Sequence, residues 1–484
     1  MIKIIKHKKR GERGIAVMLS AIFLILAIPM VGLVFDGTLV FVIKDRLQGA
    51  VDGAALAGAR ALARGADGSA QILAAQNEAT AYVKMNYQNG YLFSNGLTIS
   101  PPTVDTSVAF QRTVSVTAQA SFPAFFLRYI NTNATTVAAT ASATRKDVNV
   151  MMVLDRSGSM TASGSCAPMQ AASTNFVNFF APQRDNVGLV TFASSINVDF
   201  PLANTFSPGV ANAINSLVCQ GSTSTAAAIW QAYQQLATLN QPGALNVILL
   251  FTDGDPTGVT VHMPVANGSP CTAFSPGALP SLSPDYYPMP GGGKGYLQGV
   301  YNTFANANQF FGLLKESNGG VITNGDINAA VNSDFCTFAQ GWSGQMTNTS
   351  DFLGVPVTDI YGNSMNSGYQ AVTLTGNGFI NLGNSSNAPA MALNAGDSAA
   401  TRIRNGAVDP ITGRSLNNIV IFTIGLGNAT VPPNGAFLVR VANDPASPIY
   451  DSAKPAGSYI FAATAADLQP AFQKVASEIL RIAK

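Results

Sequence analysis

An α/β protein with a doubly wound, mainly parallel (Rossmann-like) sheet is the class this sequence predicts, and three observations predict it. Stretches 149–155, 246–254 and 418–427 carry short apolar runs without charge, which reads as strands buried on both faces. Helical patterns at 225–239, 390–404 and 466–482 follow such strands, and this alternation argues for parallel strands joined by crossover helices. The first two strands run straight into polar residues, Asp155-x-Ser157-x-Ser159 and Thr252-Asp253-Gly254. That puts chemistry at the carboxyl edge of the sheet, where open α/β sheets hold their ligands.

The 484 residues suffice for two to four domains and a full core. Net charge is +2 and charged residues make up 11%, with 45 glycines and many Ser, Asn, Thr and Ala in their place. Such a surface is solvated but uncharged and suits an exported protein. No basic face accompanies the folded part, which argues against a nucleic-acid partner. The two histidines, His7 and His262, lie far apart in the chain. A Ser-His-Asp triad or a two-histidine zinc site is therefore not expected, there is no Gly-x-Ser-x-Gly elbow, and the chain reads as a non-enzyme.

Taken in order, residues 1–14 are basic, with Lys3, Lys6, Lys8, Lys9, Arg10 and Arg13 against Glu12. Residues 15–35 carry no charge; as a helix they span about 31 Å, enough to cross a hydrocarbon core. The positive flank would hold the amino terminus in the cytoplasm and send Asp36 outward. A cleaved signal peptide would have a shorter apolar region and a small-residue cleavage site directly after it. Helical character continues over 39–63, where Ala50, Gly53, Ala54, Ala57, Gly58 and Ala61 form a stripe of small residues. Two readings stand for that stripe: close approach to another helix, or an ordinary amphipathic helix on its own domain. Residues 65–146 form a small α/β region, with a helix over 69–87 and alternating strands at 113–121 and 135–144. Residues 145–147 make a plausible joint, and a second domain fills 147–484.

Within that domain further strands are expected at 187–193 and 459–462. A long insertion occupies about 259–389, and within it 297–315 reads as a helix. Its two lysines face six acidic residues, Asp285, Glu316, Asp326, Asp334, Asp351 and Asp359. Tyr286, Tyr287, Phe310, Phe311, Trp342 and Tyr361 either contact a partner or glycan or fill the insertion's own core.

The site reading begins from the donor set. Asp155, Ser157 and Ser159 let one tight loop offer a carboxylate and two hydroxyls to one point, hard oxygen donors suited to Mg²⁺, Mn²⁺ or Ca²⁺ rather than zinc. Gly221-Ser-Thr223-Ser-Thr opens a helical pattern and can supply a third hydroxyl, and Asp253 ends the second strand. The bland alternative is that Asp or Ser after a strand merely caps the next helix. With these pieces in place the chain resembles the von Willebrand factor A (VWA) family and its metal-ion-dependent adhesion site (MIDAS). The resemblance implies a divalent cation, Mg²⁺ first and Ca²⁺ or Mn²⁺ as alternatives, held by Asp155, Ser157, Ser159, Thr223 and Asp253. It also implies a protein partner whose acidic residue completes the coordination. Arg156 could assist an acidic partner, or be an ordinary exposed loop arginine.

Cys166, Cys219, Cys271 and Cys336 allow three pairings, and none makes a Cys-x-x-Cys. Cys166 follows the Asp155 loop and Cys219 shortly precedes Thr223, which favours Cys166–Cys219 with Cys271–Cys336. Each bridge contributes about 4 kcal/mol in the loop-entropy model. Four free thiols are the alternative; an oxidising compartment fits the pairing.

The amino-terminal part resembles the TadE/TadG-like segment of tight-adherence (Tad, or Flp) pilus-assembly proteins. The matching residues are Arg13-Gly14-Ile15-Ala16-Val17, the apolar span, Val34-Phe35-Asp36 and Gln48-Gly-Ala-Val-Asp-Gly-Ala-Ala-Leu-Ala57. Pilin-like subunits cut by prepilin peptidase usually have Glu five residues after the cleavage glycine; here Leu19 follows Gly14 and Ala16 follows Gly11 at that spacing, so no processing is expected. The resemblance implies a TadG-like, single-pass protein of a bacterial inner membrane, its pilin-like stalk carrying the VWA head into the periplasm or beyond. Two functions stand: a component of Tad pilus assembly or adherence that binds a protein partner through the metal site, or, independently of pili, a stand-alone surface adhesin binding host or matrix ligands through the VWA head.

Overall fold

In a computed structural model, residues 12–65, 67–126, 128, 134–193, 196–220, 223–261, 297–301, 310–313, 356–376, 378–380, 387–427 and 433–483 are described. They fall into two compact units that meet in sequence between Arg145 and Lys146.

The first unit is built on α1 (Glu12–Ala61), one unbroken helix. Along its apolar first half nearly every side chain from Ile15 to Phe35 is exposed, as a single-pass membrane anchor requires. From Ile43 onward the pattern changes to a stripe at helical spacing, with Ile43, Leu47, Val51, Ala54, Ala55 and Leu62 buried. This stripe packs on α2 (Gly68–Asn86) through Ala75, Ala79 and Val83. Helix α2 starts where Asp67 accepts a hydrogen bond from the Ala70 N–H at 2.8 Å.

Under both helices lies an antiparallel sheet of β1 (Asn95–Ile99), β2 (Thr103–Asp105), β3 (Gln111–Pro123) and β4 (Ala134–Lys146). Strands β1 and β2 pair with the same side of β3, interrupted where Pro101 and Pro102 cannot donate to the ladder. Strand β3 alternates strictly: Val114, Val116, Ala118, Ala120 and Phe122 face the helices. Its outward hydroxyls pair across to β4, Thr113 with Thr144 at 2.8 Å, Ser115 with Ser142 at 2.8 Å and Thr117 with Thr140 at 3.0 Å. The small-residue stripe is used inside this unit. A Cβ on Gly58 would lie 3.0 Å from Val114 Cγ1 and 3.1 Å from the Ala75 carbonyl, and one on Gly53 only 2.4 Å from the Tyr82 ring.

The second unit centres on a six-stranded sheet. Its strands are β5 (Val148–Asp155), β6 (Asn186–Phe192), β7 (Ile196–Ala203), β8 (Leu245–Thr252), β12 (Ile419–Leu426) and β13 (Tyr459–Ala462). Their spatial order is β13-β12-β8-β5-β6-β7, parallel except for the edge strand β7. Strands β5, β6, β8 and β12 are buried at every position. On one face Val150, Met152, Leu154, Val247, Leu249 and Phe422 pack under α4 (Cys166–Val177), α5 (Gly209–Asn215) and α9 (Leu468–Ile482). On the other, Met151, Val153, Ile248, Leu250 and Ile421 pack under α6 (Thr225–Leu239), α7 (Asn387–Arg404) and α8 (Gly435–Ala442). The fold class is thus the one expected, a doubly wound sheet.

The insertion departs from expectation in one place. Residues 297–315 were expected to be helical, but β10 (Leu297–Tyr301) and β11 (Phe310–Leu313) pair antiparallel, and β10 pairs with β9 (Gly258–Val261). Gly299 weakens a helix, Val300 and Tyr301 favour a strand, and the edge of β9 supplies the long-range partner that local periodicity does not show. Tyr361 is core, stacked on Trp230 at 5.9 Å. Tyr286, Tyr287 and Trp342 lie outside the described residues, as do Cys271 and Cys336.

Replacing Gly58 by Leu is expected to destabilise the small unit by about 1–3 kcal/mol, the usual cost of overpacking. Gly49→Leu on the same helix, where nothing lies within 4 Å of a new Cβ, serves as the control. Thermal unfolding in detergent should show a lower midpoint for Gly58→Leu alone.

Candidate metal centre

Strands β5 and β8 are neighbours, and the chain turns opposite ways from them, toward β6 on one side and β12 on the other. Their carboxyl ends therefore form the switch point of the sheet, where a crevice opens. Register pairs Leu154 with Phe251, so Asp155 stands beside Thr252 and Asp253 follows one residue on.

Four of the five expected residues are joined there by hydrogen bonds. Asp155 Oδ1 accepts from the Ser157 N–H at 2.8 Å, and its Oδ2 accepts from the Thr252 hydroxyl at 2.6 Å. The Ser157 and Ser159 hydroxyls are 2.9 Å apart, and Ser159 Oγ donates to Asp253 Oδ1 at 2.6 Å. Since Ser159 spends its one proton on Asp253, Ser157 donates to Ser159, which leaves lone pairs on Ser157 for a further partner. Ser157 is the N-cap of α3 (Gly158–Ala162), yet its side chain makes no capping bond. The bland capping reading fails for that residue.

Thr223 arrives by its backbone. Its carbonyl accepts from Thr257 N–H at 2.8 Å and Gly258 N–H at 2.9 Å, in the segment just after Asp253, while Ser224 N–H bonds the Ala193 carbonyl at the end of β6. The approach to Thr223 is fixed by the Cys166–Cys219 disulfide, with Cα atoms 6.2 Å apart, and by the Thr161 hydroxyl donating to the Cys219 carbonyl. Gln220 N–H also bonds the Arg156 carbonyl at 2.7 Å. The bridge closes a separation of 53 residues and ties the segment before Thr223 to the helices after Ser159.

The electrostatics are unfavourable for two bare carboxylates. Asp155 is fully buried, and that burial, followed by the nearby Asp253, pushes its pKa up to about 7 against the pull of the Ser157 and Thr252 hydrogen bonds. Burial also raises Asp253, opposed by Ser159. Asp253 Oδ2 is buried with no hydrogen-bond partner, a costly arrangement for a carboxylate oxygen. An unsatisfied oxygen, a second carboxylate and hydroxyl lone pairs fit a hard divalent cation. Among the described residues no cluster of three His, Cys, Asp or Glu exists; the donors that gather here are two carboxylates and serine and threonine hydroxyls.

Arg156 corrects the expectation of an exposed loop arginine: it is buried, and its Nε donates to the Thr191 hydroxyl at 3.2 Å. Thr191 in turn donates to Asp199 on β7. The guanidinium braces the loop from behind. Sequence reasoning passed over Thr252 and Thr191; for Thr252 the signal was available, since two parallel strands each ending in Asp set the residue before the second Asp against the first.

Residues 150–255 match the family model for the von Willebrand factor type A domain, and residues 14–61 match that for the Flp pilus-assembly TadE/G-like family. Both resemblances drawn from the sequence are thereby found, and the combination is consistent with pilus adhesion or assembly. Uncharacterized protein YfbK of Escherichia coli K12 is 33% identical over 108 residues, 22% of this chain and 19% of that protein, so the chain spans about a fifth of the length of this curated relative. Among solved structures, the vWF domain of the type V pili tip protein Mfa5 from Porphyromonas gingivalis aligns at 16% identity with a TM-score of 0.37, covering 71% of this chain and 98% of that one. The PilB minor pilin from Streptococcus sanguinis aligns at 13% identity with a TM-score of 0.34, covering 81% and 79%.

Because Asp155 and Asp253 hold protons more readily folded than unfolded, their contribution to stability is full below the ordinary carboxylate range and is lost as pH rises through about 7 for Asp155. In chelator, the thermal midpoint should therefore fall from about pH 5 to about pH 8. Asp253→Asn, which removes the neighbouring charge, should flatten that fall.

Proposed function

We propose that the second unit is a binding head that captures a protein partner through a divalent cation. Asp155, Ser157, Ser159 and Thr223 would hold the ion, with Asp253 acting directly or through water. Mg²⁺ is the first choice, with Ca²⁺ or Mn²⁺ as alternatives. The observation that carries this reading is the paired, proton-hungry carboxylates with one buried oxygen, Asp253 Oδ2, left without a partner. When bound, such a cation supplies a Lewis-acidic open position, and a carboxylate from the partner is the ligand it would attract. Burial of Asp155 and Asp253 keeps water from competing for them, and the hydroxyl relay through Ser159 fixes the Asp253 oxygen in place.

The apolar half of α1 would anchor the head in a bacterial inner membrane, with the basic residues 1–14 on the cytoplasmic side and the head on the other. The TadE/G-like match to residues 14–61 favours a role in assembly or adherence of a Tad-type pilus. The stand-alone adhesin reading shares the same cation chemistry. The small-residue stripe does not separate the two, because Gly53 and Gly58 are occupied inside the small unit.

Excess Mg²⁺ should raise the wild-type thermal midpoint over chelator, by about 2.7 kcal/mol of stability at a hundredfold excess over the dissociation constant. Asp155→Ala should remove that response while membrane insertion persists. Equal midpoints with Mg²⁺ and with chelator in the wild type would end the cation reading.

A further inference from the structure

The turn that follows β3 does not stay clear of the apolar helix. Phe126 lies against α1, so close that a Cβ on Gly32 would sit 2.3 Å from the Phe126 ring. Ala27, Ile28, Val31, Gly32, Phe35 and Phe126 together line an open groove of about 450 Å³ whose wall is almost wholly apolar. Both amide donors of the turn are paired by protein: Asp36 accepts from the Phe125 N–H at 3.2 Å and from the Phe126 N–H at 2.8 Å. Phe125 is packed edge-on by Phe35 at 6.1 Å and by Phe93 at 5.5 Å. Phe93 remains 63% exposed and Phe126 38% exposed.

Depth follows from arithmetic on the helix. Residues 15–35 rise about 31 Å, which is nearly the whole thickness of a hydrocarbon core, so Ile28 and Gly32 have no room to stand outside it. Ile28 lies about 12 Å and Gly32 about 6 Å along the axis before Asp36. A ring seated on Gly32 and facing Ile28 shares that depth. Irregular backbone at a membrane is tolerated where its polar groups are paired by protein, and the Asp36 carboxylate pairs the Phe125 and Phe126 N–H donors.

We propose that the Phe125–Phe126 turn, with Phe93 beside it, is a second membrane contact of this protein, its exposed rings immersed among the acyl chains of the leaflet on the Asp36 side. It rests on the reading that α1 spans a bilayer. The turn and helix then form one wedge at the lipid surface, and the small unit is held at a fixed height and tilt instead of swinging on a single helix.

The test uses the full chain in phosphatidylcholine vesicles whose acyl chains are brominated either near the carbonyl or near the methyl end, and reads tryptophan emission above the background of the native tryptophans. Phe126→Trp reports the turn and Leu24→Trp the middle of the span. Val108→Trp, exposed and at the opposite end of the 13-residue β3, reports water. The expected result is loss of Phe126→Trp emission with carbonyl-end bromine, together with a blue shift, while Val108→Trp is unchanged. Phe93→Trp, at an exposed position that costs little packing, should lose emission in the same lipid. If Leu24→Trp is quenched and both Phe126→Trp and Phe93→Trp are not, the contact is overturned and the span stands. If Leu24→Trp is itself unquenched, the spanning reading fails and the contact fails with it.

Discussion

Two carboxylates buried side by side, with too few hydrogen bonds to satisfy them, are the constraint on which the head is organised. Asp155 and Asp253 end neighbouring parallel strands, and nothing in the strand pairing itself requires acids there. Leaving either ionised in a low-dielectric crevice is expensive; the Ser157 N–H and the hydroxyls of Ser159 and Thr252 offset part of that cost, and burial pushes the Asp155 carboxyl up to about 7. The rest of the local structure serves to keep that arrangement in place. Arg156 braces the first loop from behind through Thr191, and the Cys166–Cys219 bridge ties the segment before Thr223 to the same edge.

The small unit solves a different problem. A helix apolar enough to span a bilayer continues without a break into a helix that must pack in water, and the change occurs near Asp36–Ile43. Past it, alanines and glycines let α2 and β3 come close, and the core there is made of small side chains and backbone contact more than of large aromatics. The aromatic rings gather instead at the end of the sheet nearest the apolar segment, around Phe122, Phe125 and Phe35.

How much of this the sequence carried differs by element. The strands at 149–155, 246–254 and 418–427 were legible because each is an apolar run buried on both faces, and the first two run straight into polar residues. Helix α6 was legible over 225–239, its small-residue loop marking the start. Strands β10 and β11 were not, because their partner β9 lies far away in sequence and local periodicity carries no trace of it. Of the expected oxygen donors, Asp155, Ser157, Ser159 and Asp253 are joined by hydrogen bonds and Thr223 is tied to the segment after Asp253 through its backbone, with the expected Cys166–Cys219 pairing beside them. What sequence alone did not reveal is the role of neighbours: Arg156 is buried because Thr191 and Asp199, from β6 and β7, stand behind it. Such contacts depend on strand order, which spacing does not encode.

The central claim is that Asp155 and Asp253 await a cation, and calorimetric titration of Mg²⁺ into the chelator-stripped protein near neutral pH tests it most directly. The account predicts saturable binding accompanied by proton release, because an Asp155 carboxyl whose pKa lies at about 7 must lose its proton to ligate, and it predicts that Asp155→Ala abolishes both. A wild-type titration with no saturable heat and no proton release in any buffer would contradict it.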